Sequence, residues 1–354
     1  MSEVRFGMLL PPPLPPMDKI LKIAGMIDEA GYFSLVIPDH TLMVPPGFTP
    51  NALSLMSALS MTTRSVRLGT GVSDVVRYHP SVLAQMMATA DHLSGGRVFL
   101  GLGAGEAMNI KPFGIEWGRS YTRLKEGIEV LKKLWSGEKF SYDGTYFKFR
   151  NAFLQITPVQ KTIPIYLGAN GPKTRELAGA TCEGWMPITE TPKTYRENFG
   201  DVKRGAEKAG RSVREIDTAL QVYTAVDESY EKALERARLY RGMMISAVEK
   251  VEQAGYTLNL PEGFSKKHYF EELLLEDEML LQLVKLSEQV TDEMLTDFFI
   301  VGTPKDCIDR IEEFRKAGVK HFLLINIGPD PKYVLRTYME KIAPAFQWDG
   351  KEKA

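Results

Sequence analysis

Two stretches of the sequence carry side chains that could transfer a proton. Asp39 and His40 end the apolar run FSLVIPDH (33–40), and Glu106 follows the run RVFLGLG (97–103). A histidine exchanges protons near neutral pH because its unperturbed pKa is about 6.5, and a neighbouring carboxylate can hold it in one orientation. We therefore expect His40 and Glu106 to be the acid-base groups of an active site, with Asp39 orienting His40.

The segment VFLGLGAGEAMN (98–109) places Gly101, Gly103 and Gly105 at alternate positions. A dinucleotide-binding fingerprint would be GxGxxG after the first strand, whereas this pattern is GxGxG after the fourth. Alternate residues of a strand point to one face, and glycines leave that face clear for a flat ring or a phosphate chain. The alternative is a tight turn that needs only a permissive backbone.

A second glycine-rich turn, GANGPKT (168–174), precedes the helical stretch TRELAGATC. Free backbone N–H groups at a helix N-terminus attract anions, and (β/α)8 barrels often hold a phosphate at such a loop. The turn is therefore a candidate phosphate site, and a simple capped turn remains the alternative.

Eight nearly continuous apolar runs alternate with helical segments, as in a parallel sheet covered on both faces. Polar and glycine residues cluster after at least five of these runs, which favours a (β/α)8 TIM barrel over a doubly wound sheet with one switch point. The expected strands lie at residues 4–10, 33–40, 66–72, 97–103, 163–169, 184–188, 216–226 and 321–327.

We expect residues 1–354 to form one barrel domain with two insertions. Residues 137–160 alternate as a β-hairpin does, with DG as its turn. Residues 227–296 form a charged helical region between strands 7 and 8. An insertion of this size tends to lie at the barrel rim, where it covers the mouth or serves only as a packing or dimerisation element.

Composition narrows the classes of partner. The chain has 44 Lys and Arg residues against 45 Asp and Glu, so its net charge does not favour nucleic acid or an anionic membrane. It shows neither a signal peptide nor a long apolar span, which indicates a cytoplasmic protein. The two cysteines and the scattered histidines do not predict a metal site.

The ordered set of motifs resembles the bacterial-luciferase-like family, in particular its branch that uses the deazaflavin coenzyme F420. The resemblance spans nearly the whole chain apart from residues 227–296. The matching segments are VIPDH (36–40), LGTGVSDVVRYHP (68–80), RVFLGLGAGEAMN (97–109), PFGIEW (112–117), LKKLWSG (131–137), IPIYLGANGP (163–172) and FIVGTPKDCIDRIEEFRKAGVKHFLLINIGP (299–329).

This resemblance implies a (β/α)8 barrel with the deazaflavin ring in its mouth and the phosphate tail along the loops after strands 4 and 5. It also implies a cis peptide bond between Gly71 and Val72 and a homodimer formed through residues 51–61 and 82–90. The implied cofactor-binding residues are Asp39, Gly71, Val72, Ala104, Gly105, Glu106, Asn109, Gly168, Ala169, Asn170 and Gly171.

The resemblance implies hydride transfer to or from a small organic substrate and leaves several substrates open. The similarity of the C-terminal half places the C=N reduction of a methylenetetrahydromethanopterin reductase first. The alternatives are an F420-dependent alcohol, ketone or sugar phosphate oxidoreductase and an FMN-dependent monooxygenase of the same fold. A sugar phosphate is disfavoured because Ile188, Thr191 and Phe298 stand where basic residues would be expected.

Overall fold

The computed structural model describes residues 4–10, 15–266, 268–328 and 330–348. Its strands are β1 (Arg5–Leu9), β2 (Ser34–Ile37), β3 (Arg67–Thr70), β4 (Ser73–Asp74), β5 (Val98–Gly103), β6 (Phe140–Asp143), β7 (Lys148–Ala152), β8 (Ile165–Leu167), β9 (Gly184–Trp185), β10 (Asp217–Val226), β11 (Ile300–Gly302) and β12 (His321–Asn326).

Eight strands close into a parallel barrel in the order β1, β2, β3, β5, β8, β9, β10 and β12, and β12 pairs with β1. These are the eight strands that the sequence predicts, so the expected (β/α)8 barrel is confirmed. Two short strands extend the sheet beyond the expectation: β4 pairs with the end of β5, and β11 pairs with Thr224–Val226 at the end of β10.

A helix follows each barrel strand and packs on the outside. The α-helices are α1 (Met17–Glu29), α2 (Ala52–Thr62), α3 (Pro80–Ser94), α4 (Ala107–Ile110), α5 (Ser120–Trp135), α6 (Pro172–Thr181), α7 (Pro192–Lys208), α8 (Tyr230–Arg238), α9 (Gly242–Ile245), α10 (Val248–Ala254), α11 (His268–Glu271), α12 (Asp277–Ser287), α13 (Asp292–Phe298), α14 (Pro304–Ala317) and α15 (Pro331–Thr337). Shorter 3₁₀ turns cover Lys111–Phe113, Val213–Glu215 and Ala343–Phe346, and Tyr338–Ile342 is a π-helix.

Local sequence explains where these helices begin and end. Helix α14 starts at a capping box in which Thr303 and Asp306 satisfy each other's backbone N–H groups, with Pro304 in its first turn. It ends at Gly318, whose φ of 114° is in the left-handed region that favours glycine. Among the described residues, no helix is long and apolar enough to cross a membrane.

Alternate residues of each strand pack on opposite sides of the barrel wall. Phe6, Leu35 and Phe322 belong to the cluster between the strands and the outer helices, whereas Leu9 and Leu323 belong to a second cluster inside the barrel. The second cluster also includes apolar residues of the helices between β10 and β11. The barrel interior and that helical segment therefore share one apolar core.

A polar network lies at the opposite end of the barrel from its mouth. Asp217 accepts a hydrogen bond from Arg5 at 2.5 Å and another from the Tyr166 hydroxyl at 2.8 Å. It also lies 3.0 Å from Nδ1 of His321, whose Nε2 lies 2.8 Å from the Ser34 hydroxyl. Burial favours the neutral imidazole and lowers the pKa of His321 despite the Asp217 carboxylate. The network satisfies polar groups that would otherwise be buried without partners.

Within the expected hairpin at 137–160, strands β6 and β7 pair antiparallel. Glu126 of α5 fixes their turn, since its carboxylate accepts hydrogen bonds from the backbone N–H groups of Thr145, Tyr146 and Phe147 at 2.8–3.2 Å. These bonds lower the pKa of Glu126, although burial opposes them.

Helices α8 to α13 fill the chain between β10 and β11, where the sequence predicts a helical insertion at 227–296. This segment contacts the mouth of the barrel through lysine hydrogen bonds. Lys111, just after α4, donates a hydrogen bond to the carbonyl of Glu271 at 2.8 Å, and Lys250 of α10 donates one to Asn170 at 2.9 Å. The insertion thus reaches both loops that the sequence assigns to a cofactor.

The expected homodimer interface lies on α2 and α3, where Met61 is 69% exposed and Val82 is 49% exposed. These positions agree with an outward apolar face. The homodimer itself stays a prediction.

Candidate functional site

The carboxyl ends of the barrel strands bring the predicted residues to one mouth. The peptide bond between Gly71 and Val72, directly after β3, is cis. Val72 lies against the neighbouring strands, since a Cβ added to Gly103 would be 2.6 Å from its Cγ2 and one added to Gly168 would be 3.2 Å from its Cγ1. The ends of β3, β5 and β8 therefore meet around the half-exposed side chain of Val72.

Contacts within the protein explain why glycine occupies the alternate positions after β5 begins. A Cβ at Gly101 would lie 1.7 Å from the carbonyl oxygen of Thr70, and one at Gly105 would lie 2.5 Å from Ile110. Gly105 also has a φ of 88°, which side chains rarely adopt. The close approach of neighbouring strands and a tight turn account for these glycines, so their spacing alone does not establish a ligand there.

His40, Glu106 and Asn109 form one hydrogen-bonded cluster at the mouth. Nδ1 of His40 lies 3.2 Å from Oε2 of Glu106, and both side chains are 21% exposed. The Asn109 amide donates to the same oxygen at 3.0 Å and lies 3.2 Å from His40 Nδ1. Its carbonyl oxygen accepts hydrogen bonds from the backbone N–H groups of Thr41 and Leu42 at 2.7 and 2.8 Å. Asn109 thus ties the loop after β2 to the loop after β5.

The cluster stabilises an ion pair. Burial disfavours the imidazolium, but the charge and hydrogen bond of Glu106, with a smaller contribution from Asp39, raise the pKa of His40 above its ordinary 6.5. Burial likewise disfavours the carboxylate, but His40 and Asn109 lower the pKa of Glu106 below 4.5. The pair therefore shifts both side chains toward their charged forms.

Asp39 does not orient His40 as we expected. Its carboxylate accepts hydrogen bonds from the hydroxyls of Ser73 at 2.6 Å and Tyr78 at 3.2 Å, and Arg77 lies 3.3 Å away. These partners, which follow β3, direct the Asp39 carboxylate toward the neighbouring segment of the wall. Glu106 and Asn109 orient His40 instead, and Asp39 supports the wall of the site.

Eight of the expected cofactor-binding residues are partly exposed, and three are buried. The partly exposed residues are Gly71, Val72, Ala104, Gly105, Glu106, Gly168, Asn170 and Gly171. The buried residues are Asp39, Asn109 and Ala169, and the carbonyl of Ala169 accepts a hydrogen bond from the Trp185 indole at 3.1 Å. The three buried residues therefore hold the site together rather than face its opening, Asp39 and Asn109 through their side chains and Ala169 through its backbone carbonyl.

The loop at 168–171 leads into α6, whose N-cap residue Gly171 supplies no side-chain hydrogen bond. Pro172 has no N–H, so Lys173 and Thr174 carry the first backbone N–H groups of this helix. The anion site at this loop stays a prediction. Asn170 is fixed from two sides, because its carbonyl oxygen accepts from Arg175 and its side-chain oxygen accepts from Lys250.

Sequence reasoning missed two charged residues that build this site. Arg77 donates to Asp74 at 2.6 Å and to the backbone carbonyl of Asp39 at 2.8 Å, which joins the loops after β2 and β3. Its position within the motif LGTGVSDVVRYHP was the available signal. Lys250 gave no such signal, because it lies in the insertion outside every matching motif.

Comparison with known proteins agrees with this architecture. The family described as luciferase-like monooxygenase matches residues 4–321. An F420-dependent glucose-6-phosphate dehydrogenase of Microbacterium testaceum is 32% identical over 339 residues, covering 93% of this chain and 94% of that protein. A 5,10-methylenetetrahydromethanopterin reductase of Archaeoglobus fulgidus is 31% identical over 325 residues, covering 87% and 92%.

Among solved structures, an F420-dependent secondary alcohol dehydrogenase in complex with an F420-acetone adduct superposes with a TM-score of 0.82. That chain is 26% identical, and the match covers 97% of this chain and 99% of the other. The family match and these relatives cover the barrel as well as the helices between β10 and β11. The chain therefore belongs to the luciferase-like monooxygenase family.

Proposed function

We propose that this protein is an F420-dependent oxidoreductase that transfers hydride between the deazaflavin and the carbinol or carbonyl carbon of an alcohol or ketone. The observation that carries the proposal is the His40–Glu106 ion pair at the mouth of the barrel, with 3.2 Å between Nδ1 and Oε2. Oxidation of an alcohol releases a proton from oxygen and reduction of a ketone consumes one, so this reaction needs such a pair.

The residues at the mouth suit a flat, anionic coenzyme. Partly buried apolar side chains of Val44, Val72 and Ile188 border the apolar core inside the barrel and offer a surface for a ring. At the start of α6, the backbone N–H groups of Lys173 and Thr174 would be the donors to a phosphate-bearing tail. Coenzyme F420 would supply the hydride chemistry when bound there.

The protein's own groups would handle the proton. His40 directs Nδ1 toward Glu106, so Nε2 is the ring nitrogen that can meet a substrate oxygen. As imidazolium it donates a proton to a ketone oxygen, and as neutral imidazole it accepts one from an alcohol. Glu106 stabilises the charged form of His40, which is the form that donates a proton.

The charges around the mouth favour an uncharged substrate over a sugar phosphate. Lys250 is bound by Glu190 at 2.9 Å, and Arg77 is bound by Asp74 at 2.6 Å, so neither cation is open to a phosphate group. Position 298, where a basic residue would be expected in a sugar phosphate site, carries a phenylalanine that is 1% exposed. These pairings support an alcohol or ketone as the substrate.

Reduction of a pterin-bound one-carbon unit is the second candidate, supported by the 31% identity to the methanopterin reductase. The similarity of the C-terminal half placed it first by sequence. Leu9, at the end of β1, is 4% exposed within the apolar core, so this strand end supplies no acid-base group. The proton would then have to come from His40, as in the alcohol reaction, and we therefore rank this candidate second.

The proposal is tested by His40→Gln assayed for F420 reduction with a panel of secondary alcohols. We expect the rate to fall by about 10²- to 10⁴-fold, the usual contribution of a positioned acid-base group, with F420 affinity retained. His92→Gln is the matched control, since His92 is exposed on α3 and its Nε2 lies 2.9 Å from the carbonyl oxygen of Thr157 in an outer loop. An unchanged rate in His40→Gln would contradict the assigned proton transfer.

A further inference from the structure

Lys250 is a buried lysine with a complete set of partners. It lies on α10 of the insertion and is 7% exposed. Its ammonium group is 2.9 Å from Glu190 Oε1, 2.9 Å from Asn170 Oδ1 and 2.5 Å from the carbonyl oxygen of Ile188. An ammonium group has three N–H donors, so these three acceptors fix its position.

These partners belong to two different strand ends. Asn170 lies in the loop after β8, and Ile188 and Glu190 follow β9. Thr189, between the latter two, has a φ of 57°, a left-handed conformation that is uncommon for threonine. Lys250 binds the carbonyl oxygen of Ile188 before Thr189 and the carboxylate of Glu190 after it. It therefore stabilises this turn together with the loop at 168–171.

Glu190 is anchored independently of the lysine. It is 1% exposed and accepts hydrogen bonds from the Thr194 hydroxyl at 2.6 Å and from the Asn198 amide at 3.1 and 3.2 Å. Both donors lie on α7 outside the barrel. These bonds hold the Glu190 carboxylate in place beside the Lys250 ammonium group. Lys250 in turn holds the side chain of Asn170.

We propose that Lys250 is a positioning residue that holds the loop at 168–171 in the conformation that receives the anionic tail of the coenzyme. The inference rests on the proposed use of F420 and assigns to the insertion a role in coenzyme binding. It does not require Lys250 to touch the coenzyme, since its three donors are already used by Asn170, Ile188 and Glu190.

The test compares two ligands and two variants by fluorescence titration. The ligands are F420 and the same deazaflavin riboside without its phosphate-bearing tail. In Lys250→Met we expect F420 to bind about tenfold more weakly, about 1.4 kcal/mol, with affinity for the tail-less compound unchanged within about twofold. The double variant Lys250→Met/Glu190→Gln leaves no unpaired buried charge and is expected to show the same selective loss.

Lys132→Met is the matched control. Lys132 pairs with Glu183 at 2.8 Å and donates to the carbonyl of Thr181 at the opposite end of α6, so it anchors the same helix far from the loop. It is expected to leave both affinities unchanged. Equal weakening of both ligands in the double variant, or of neither, would overturn the positioning role. Failure of the unmodified protein to bind F420 would instead reject the proposed function.

Discussion

Replacing Glu106 by Gln preserves the size of the side chain and removes the charge that stabilises His40. Glu106 and His40 are 3.2 Å apart, and both side chains are 21% exposed. Two unit charges at this distance attract by about 5 kcal/mol at an effective dielectric constant of about 20. Burial of both groups offsets much of this attraction. We therefore expect Glu106→Gln to lower the free energy of unfolding by about 1–3 kcal/mol.

The loss should depend on pH in a defined direction. The pKa of His40 is raised, so its contribution to stability is complete below its unfolded value of 6.5 and disappears as the pH rises through the folded value. The pKa of Glu106 is lowered, so its contribution is complete above 4.5 and disappears as the pH falls through the folded value. The destabilisation should therefore be greatest between pH 4.5 and 6.5 and should diminish in alkaline solution.

Denaturant unfolding of the parent protein and of Glu106→Gln at about pH 5.5 and about pH 9 measures this dependence. Glu116→Gln provides the control, since Glu116 is exposed. In the same variant the pH profile of hydride transfer should move to lower pH, because His40 has lost the carboxylate that raises its pKa. A destabilisation at pH 9 as large as that at pH 5.5 would refute the ion pair.

Three further predictions concern the barrel and its outer helices. Gly101→Ala should destabilise the protein by about 3 kcal/mol or more, because its Cβ would lie 1.7 Å from the backbone oxygen of Thr70. Gly25→Ala in helix α1, where no described atom outside the local helix lies within 4 Å of the added Cβ, should stabilise the protein by about 0.5–1 kcal/mol. Thermal unfolding measures both glycine variants. Asp217→Asn removes the buried partner of Arg5, 2.5 Å away, and should cost about 3–5 kcal/mol by denaturant unfolding. A cost below about 1 kcal/mol would contradict a stabilising network at the barrel floor.

The barrel strands were predictable because strands covered on both faces are continuous apolar runs. The strands at 98–103 and 321–326, for example, are buried throughout. Strand β11 was not predicted, because the three residues Ile300–Gly302 are too few to show a period. Its pairing with the end of β10 depends instead on the helices that bring it back to the barrel.

The candidate site was predictable where residue type and strand end coincide, as for His40 and Glu106. The role of Asp39 was not, because its partners Ser73 and Tyr78 come from a different loop. Lys250 lies 80 residues from Asn170 in the chain, and no local pattern indicates that contact. Tertiary packing determines such pairs, so only the structure reveals them.

The central claim is that the barrel mouth is built for a deazaflavin. An equilibrium titration of the purified protein with coenzyme F420 and, in parallel, with FMN tests it most directly, with tryptophan fluorescence as the signal. We expect the protein to bind F420 at least about tenfold more tightly than FMN, a difference of about 1.4 kcal/mol in binding free energy. Tighter binding of FMN, or no binding of F420, would contradict the account and would indicate an oxygen-consuming monooxygenase or another activity.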